Sequence, residues 1–493
     1  MTSGPPRHVS LDETLLTRWA ALWRANPEQE VLFNGEGEDE ALTGQSLLDR
    51  TAGAAATLRS LSVAPGDRVI WCCGSSLDSI VVLLGALRLG AVVVPVSAAQ
   101  TQSELAYVIE DVRPKVAIVD RPDRADMVDA AKAVVRLMYP HDAAPEGTTG
   151  LDPFLDTSDP SHDALIVYTS GTTGEPKGAV HTHASLLAGT DAIGEAWDWQ
   201  ADDDLILALP LFHVHGLCAG LFGTLARGAS ATIFDRFRPD AVADAVPLST
   251  MFFGVPTMYH RLAQSGRAAE LASLRLCVAG SAPLPADLWH QFDREYGVQV
   301  LERYGMSETL LTLSNPLQGE RRPGSVGLPL PGVEATIGET DEDGIGELLV
   351  RGPSVCRGYW ERDEATAAMW HDGWFATGDL ASVADDGYIS IRGRRTELII
   401  TGGHNVYPAE VEAVLASHPS VLEVAVVGQD SEEWGESVTA FLVGRDGPPD
   451  IEAVRLLAAR ELSTYKLPRT YRVVESLPRN AMGKVVRRDL RHA

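Results

Sequence analysis

Cysteine is scarce in this chain: there are five among 493 residues, none spaced as CxxC, with Cys72 and Cys73 adjacent. A disulfide scaffold and a zinc ribbon are thereby excluded, and a reducing, cytoplasmic setting is expected. Positive charge is also short. The 41 Lys and Arg residues face 68 Asp and Glu, a formal net charge of −27. Such a surface repels phosphate backbones, so no nucleic-acid partner is expected. A small anionic substrate would need local cations to offset the global field. The opening MTSGPPRHVS lacks the charged-then-apolar pattern of a signal peptide. Long apolar runs are nearly absent. The one that invites a membrane reading is SIVVLLGALRLGAVVVPV, residues 79–96. Arg88 in its middle and Gly90 after it predict instead a buried helix, a tight turn and a strand, so membrane insertion is not expected. Oligomeric state leaves no mark in the sequence.

What is present points to an α/β protein. The length predicts two to four folding units, and the composition, 45% hydrophobic and 22% charged, is that of an ordinary soluble protein. Short β-branched runs recur: RVIWCC (68–73), VAIVD (116–120), ALIVYT (164–169), LILALP (205–210), ATIFD (231–235) and LRLCVAG (274–280). Alanine-rich amphipathic stretches lie between many of them, which predicts mostly parallel sheets flanked by helices. After residue 340 the texture becomes short strands with DDG and GG turns, a small β module. GRRTE (393–397) is polar and reads as a hinge, followed by a compact α+β unit of normal domain size. The expected division is 1–392 for the large N-terminal domain, 393–396 for the hinge and 397–493 for a small mobile C-terminal domain.

YTSGTTGEPKG (168–178) concentrates phosphate-binding groups, yet it departs from GxxxxGK[ST], because Lys177 follows Gly174 by three. The pattern predicts a strand, DALIVYT, and a strand-to-helix turn whose backbone N–H groups face outward. Ser170, Thr172 and Thr173 add hydroxyls, and Lys177 adds a charge. HVH (213–215) suggests two imidazoles on one face of a strand, but no third metal ligand has suitable spacing.

Five further motifs follow in order: GSAP (280–283), YGMSE (304–308), TGD (377–379), GR (393–394) with GG (402–403), and PRNAMGK (478–484). Together with the loop they resemble the signatures of the adenylate-forming superfamily of acyl-CoA synthetases, luciferases and adenylation domains, over roughly residues 30–490. The resemblance implies ATP, Mg²⁺ and coenzyme A as cofactors and co-substrates, and two half-reactions through an acyl-AMP. It implies that Thr169, Ser170, Gly171, Thr172, Thr173, Gly174 and Lys177 hold the β- and γ-phosphates. Ser307 would touch the α-phosphate, Glu308 would ligate Mg²⁺, and Lys484 would serve adenylation. Tyr304 would stack on adenine and Gly280, Ser281 and Ala282 would line its other face, with Glu302 counted among the nucleotide contacts. Asp379 would accept the ribose hydroxyls and Arg394 would support them. His213 would gate the acyl pocket, with His215 read as packing. Gly402 and Gly403 would line the thiol tunnel. Thr396 departs from the Asp or Lys common in that hinge.

Arg303, in LERYGMSET, marks the acyl side. ERYGM, LPLFHVHGL and FFGVPTMYHR resemble the malonyl-CoA synthetase branch, where Arg303 would bind a distal carboxylate and Met306 would limit pocket depth. The alternative for Arg303 is a structural pair with Glu302 or another carboxylate. The alternative functions are a medium-chain or aromatic acid–CoA ligase and an enzyme that loads a carrier protein.

Overall fold

The computed structural model describes residues 13–37, 40–97, 99–130, 136–143, 154–169, 176–431, 433–479 and 485–491. The run that resembled a membrane span forms the helix Leu77–Arg88 and the strand Val92–Pro95, with Gly90 at φ +86° turning the chain between them. Ser76 caps the helix by accepting from the Ser79 N–H. Arg88 is buried and makes two 2.9 Å hydrogen bonds to the Asp156 carboxylate. A cation inside an apolar helix is therefore satisfied by a partner far along the chain. No described helix is long and apolar enough to cross a membrane.

Among the described residues two large sheets carry the N-terminal domain. A seven-stranded sheet runs 358–359, 178–182, 163–168, 92–95, 68–72, 116–119, 136–138, parallel from 163–168 onward. A nine-stranded sheet runs 328–329, 310–314, 301–306, 276–279, 251–254, 204–207, 230–233, 30–34, 41–43. Its six middle strands are parallel. Strands of both sheets, including Val69 and Trp71 of one and Leu205 and Leu207 of the other, share one buried apolar cluster. Central strands such as Asp204–Leu207, Met251–Gly254 and Leu276–Ala279 are buried along their whole length, as parallel strands covered on both faces must be.

A five-stranded antiparallel module follows and ends with the strand Ile389–Arg394. A 3₁₀ turn, Arg395–Glu397, leads to the sheet of the smaller C-terminal domain, which begins at Ile399–Thr401. That sheet is mostly antiparallel, with Thr470–Val473 added in parallel, and helices Pro408–Ala416 and Ile451–Glu461 help enclose its core.

The glycine-rich loop corrects one expectation. Its flanks Asp163–Tyr168 and Gly178–Thr182 are antiparallel partners, and the Thr169 N–H donates to the Lys177 carbonyl at 2.9 Å. The described flanks therefore pair as a hairpin, and a strand, not a helix, follows Lys177. The helix starts only at His183, capped by Thr182. The physical reason is the five-residue run GAVHT, buried over four positions, which takes the second strand before any helix can nucleate.

Candidate active site

The carboxyl ends of four neighbouring parallel strands converge on one place, where α/β sheets characteristically receive ligands. The strand 276–279 runs into Gly280–Ser281. The strand 251–254 brings Phe253. The strand 204–207 leads into the turn that carries His213 and His215, and the strand 301–306 supplies Arg303. The histidine pair does not lie on a strand as expected. His213 sits in a bend and His215 opens the helix His215–Phe222. Pro210 has already ended the strand, so the two imidazoles do not share a sheet face. Among the described residues no group of three or more His, Cys, Asp or Glu side chains converges on a possible ion.

Arg303 is 4% exposed, and its Nε and Nη2 find no hydrogen-bond partner among the described residues. Burial alone pulls its pKa well below the usual guanidinium range, to about 9. The pairing with Glu302 does not occur. Successive strand residues point to opposite faces, and Glu302 instead accepts from the Leu284 N–H at 2.9 Å. Its own burial raises its pKa to about 7. Gly280 abuts the guanidinium so closely that a Cβ there would lie 2.3 Å from Arg303 Cζ. Ser281, at φ +68°, places Oγ 3.3 Å from His215 Nδ1. The His215 ring stacks on Phe253 at 6.3 Å. Gly280 and Ser281, expected beside adenine, thus lie against Arg303 and His215, and Ser281 and Ala282 are both exposed.

The other face of the same strand is finished differently. Tyr304 Oη donates to Asp379 Oδ2, and Arg394 Nε lies 2.7 Å from Asp379 Oδ1. Asp379 is buried, and its backbone N–H donates to Thr377 Oγ1 at 3.1 Å. Met306 lies with Tyr304, its sulfur 3.9 Å from Tyr304 Oη. Glu308 is 5% exposed, and Tyr359 Oη donates to its Oε1 at 2.8 Å. Burial raises the Glu308 pKa, opposed by that hydrogen bond. Lys177 Nζ sits 5.1 Å above the Tyr359 ring, which joins the stem of the glycine-rich loop to Glu308. The Ser307 carbonyl is held by His181 Nε2 at 2.7 Å, so the imidazole donates there, and burial pulls the His181 pKa down to about 4. A cleft of about 270 Å³ opens beside these groups, lined by Lys177, Tyr359, Thr377, Gly378 and, toward the C-terminal domain, Arg395 and Thr396.

Gly402 and Gly403 turn the hairpin Ile399–Thr401/His404–Val406 with φ +56° and +82°. Beyond them Tyr407 donates to Asp341 of the N-terminal β module, and Asn405 Nδ2 lies 3.5 Å from the same carboxylate. Ser170, Gly171, Thr172, Thr173, Gly174 and Lys484 lie outside the described residues. Tyr359 and His181 escaped sequence reasoning, because RGYW and GAVHT carry no chemical spacing signal and matter only through Glu308 and Ser307.

The fold and this arrangement define an α/β protein with a buried cation at the carboxyl ends of a parallel sheet, beside a second polar cluster. The chain belongs to the AMP-binding enzyme family, whose profile matches residues 18–360, with the AMP-binding enzyme C-terminal domain matching residues 410–484. It is 36% identical over 466 residues to the malonate–CoA ligase of Arabidopsis thaliana, covering 84% of this chain and 76% of that protein. It is also 36% identical over 490 residues to a feruloyl-CoA synthase of an Amycolatopsis species, covering 95% and 96%. The ATP-bound crystal structure of MatB from Rhodopseudomonas palustris superposes with a TM-score of 0.91 at 34% identity, over 97% of this chain and 99% of that one.

Proposed function

We propose that this protein is an ATP-dependent, AMP-forming acid–CoA ligase whose acid is malonate. The observation that carries the choice of acid is the Arg303 guanidinium, buried and without a partner for Nε and Nη2 among the described residues, where the parallel strands end. A buried cation without an anion is costly, and a distal carboxylate is the ligand that removes the cost. A monocarboxylic acid leaves the cost in place, which is worth roughly 3–5 kcal/mol and hence a factor of a hundred or more in selectivity.

In the first half-reaction the proximal carboxylate oxygen attacks the α-phosphorus of ATP, the bond to pyrophosphate breaks, and the acyl-adenylate forms. In the second the CoA sulfur attacks the acyl carbon and AMP leaves. The residues' task is positioning and charge neutralisation. Thr169 and Lys177, at the stem of the loop 170–175, would hold the terminal phosphates beside the cleft. Asp379, oriented by Arg394 and Tyr304, would take the ribose hydroxyls, with Tyr304 against adenine. Lys484 would neutralise charge between carboxylate and α-phosphate. Glu308 fits a magnesium ion: it is a buried oxygen donor whose pKa is raised by desolvation, a state that a nearby cation relieves. Magnesium, when bound with ATP, would neutralise phosphate charge. His213 would gate the pocket toward the thiol. The C-terminal domain, 397–493, would turn about residues 393–396 between half-reactions. Support for that motion is the short 3₁₀ connector and the polar contacts that cross it, Tyr407 to Asp341 and Arg395 to Glu347.

The competing reading is an aromatic acid–CoA ligase, favoured by the equal identity to the feruloyl-CoA synthase. Thioester formation with ATP, Mg²⁺ and CoA separates the two when malonate, methylmalonate, acetate, octanoate and ferulate are compared. Malonate is expected far ahead, and Arg303→Ala is expected to lower malonate kcat/KM about 10²- to 10³-fold. Ferulate ahead, or unchanged malonate kinetics in that variant, would overturn the assignment.

A further inference from the structure

Arg303 is not the only unpaired group in the acyl pocket. His215 is 3% exposed, and its Nε2 finds no partner among the described residues. Its Nδ1 is 3.3 Å from the Ser281 hydroxyl. Ser281 follows Gly280, and Gly280 is pressed against the Arg303 guanidinium. Two consecutive residues at the end of one strand therefore bind the imidazole and the guanidinium into a single wall. A serine hydroxyl can donate to Nδ1, which leaves the proton on Nε2. The nearby guanidinium opposes a second proton on the ring, and burial pushes the His215 pKa down in the same direction. The ring is thus neutral, and its free nitrogen is a hydrogen-bond donor. Phe253 fixes its plane from behind.

We propose that His215, set in the Nε2–H form by Ser281, is a specificity-determining residue that donates a hydrogen bond to the distal carboxylate alongside Arg303. The inference rests on the dicarboxylate reading above and deepens it. A carboxylate has about four lone-pair sites, so one guanidinium edge leaves acceptor capacity that a neutral donor can fill without adding like charge. An imidazolium there would repel Arg303, and an aliphatic side chain would leave the carboxylate under-solvated. The arrangement also accounts for the φ of Ser281: the left-handed backbone turns its hydroxyl toward Nδ1 at a strand end where an extended residue would carry it onward.

The test uses three substitutions in the full-length enzyme and the ratio of malonate to acetate kcat/KM. Gln places an amide donor near the position of Nε2, whereas Asn places one near Nδ1 and Phe keeps only the ring. His215→Gln is expected to hold the ratio within a few-fold of wild type. His215→Asn and His215→Phe are expected to lower it about 10- to 100-fold, the worth of one hydrogen bond to a charged group, mainly through malonate KM. If His215→Phe does not fold, the Gln and Asn pair carries the comparison. Equal losses for malonate and acetate in every variant, or no change in the ratio, would overturn the proposal. Arg303→Met, assayed in parallel, separates the two levels. No malonate preference in the wild type defeats the dicarboxylate reading itself, a preference that survives Arg303→Met defeats Arg303 as its source, and loss there with an unmoved ratio in the His215 variants defeats only the role of His215.

Discussion

Arg303 and Tyr304 are neighbours on one strand, and the two pockets they serve are completed in opposite ways. On the Tyr304 side the polar groups satisfy one another: Asp379 accepts from Tyr304 and pairs with Arg394, and Glu308 accepts from Tyr359. On the Arg303 side donors on both Arg303 and His215 are left without acceptors among the described residues. The first pocket is held in shape before any ligand arrives. The second stores an unmet demand for negative charge. Stability is maximised by the first arrangement, and discrimination by the second, because a ligand that fails to supply the missing acceptor leaves buried groups unpaired.

This contrast predicts stability changes of opposite sign. The largest is expected on the satisfied side. Asp379→Ala strands the Arg394 charge and the Tyr304 hydroxyl and should lower unfolding free energy by about 2–4 kcal/mol, read by denaturant titration without ligand, with ATP affinity falling as well. Arg303→Met should do the reverse and stabilise the ligand-free protein by about 1–3 kcal/mol, since it replaces an unpaired buried cation with an apolar chain of similar length. The sign follows from linkage. The folded-state pKa is lowered to about 9 from the usual guanidinium range, so the unfolded chain binds more protons between the two. The penalty is present in full below about 9 and is relieved only as pH rises through that window. Malonate should raise Tm in the wild type and leave the variant unmoved. A destabilised Arg303→Met would erase the contrast.

The smallest effect tests the strand's third member. Glu302 has its pKa raised from 4.5 to about 7, so the folded state binds more protons than the unfolded chain in that window, and stability falls as pH rises through it. Glu302→Gln keeps an acceptor for the Leu284 N–H and removes the titration. Its unfolding free energy should match wild type below pH 4.5 and exceed it above about 7. A constant difference across the series would show that Glu302 stays ionised or is relieved by a partner.

The sequence by itself determined the class of fold and the inventory of the site. Buried β-branched runs separated by amphipathic stretches specify parallel sheets because each element's periodicity is local. The helix, turn and strand of residues 77–95 were legible for that reason, and the ordered motifs brought Ser307, Glu308, Asp379 and Arg394 into view through spacing along the chain. What tertiary structure decided is which buried polar groups meet. Asp156 neutralises Arg88 across 68 residues, Tyr359 reaches Glu308 across 51, and Ser281 meets His215 across 66. The flanks of the glycine-rich loop, Asp163–Tyr168 and Gly178–Thr182, paired with each other as antiparallel strands. Arg303 lost Glu302 as a partner because strand alternation sends adjacent side chains to opposite faces. Hydrogen bonds and ion pairs act over a few ångströms, so their partners are set by which strand ends the sheet order makes adjacent, and that order is not a local property of any stretch of the chain.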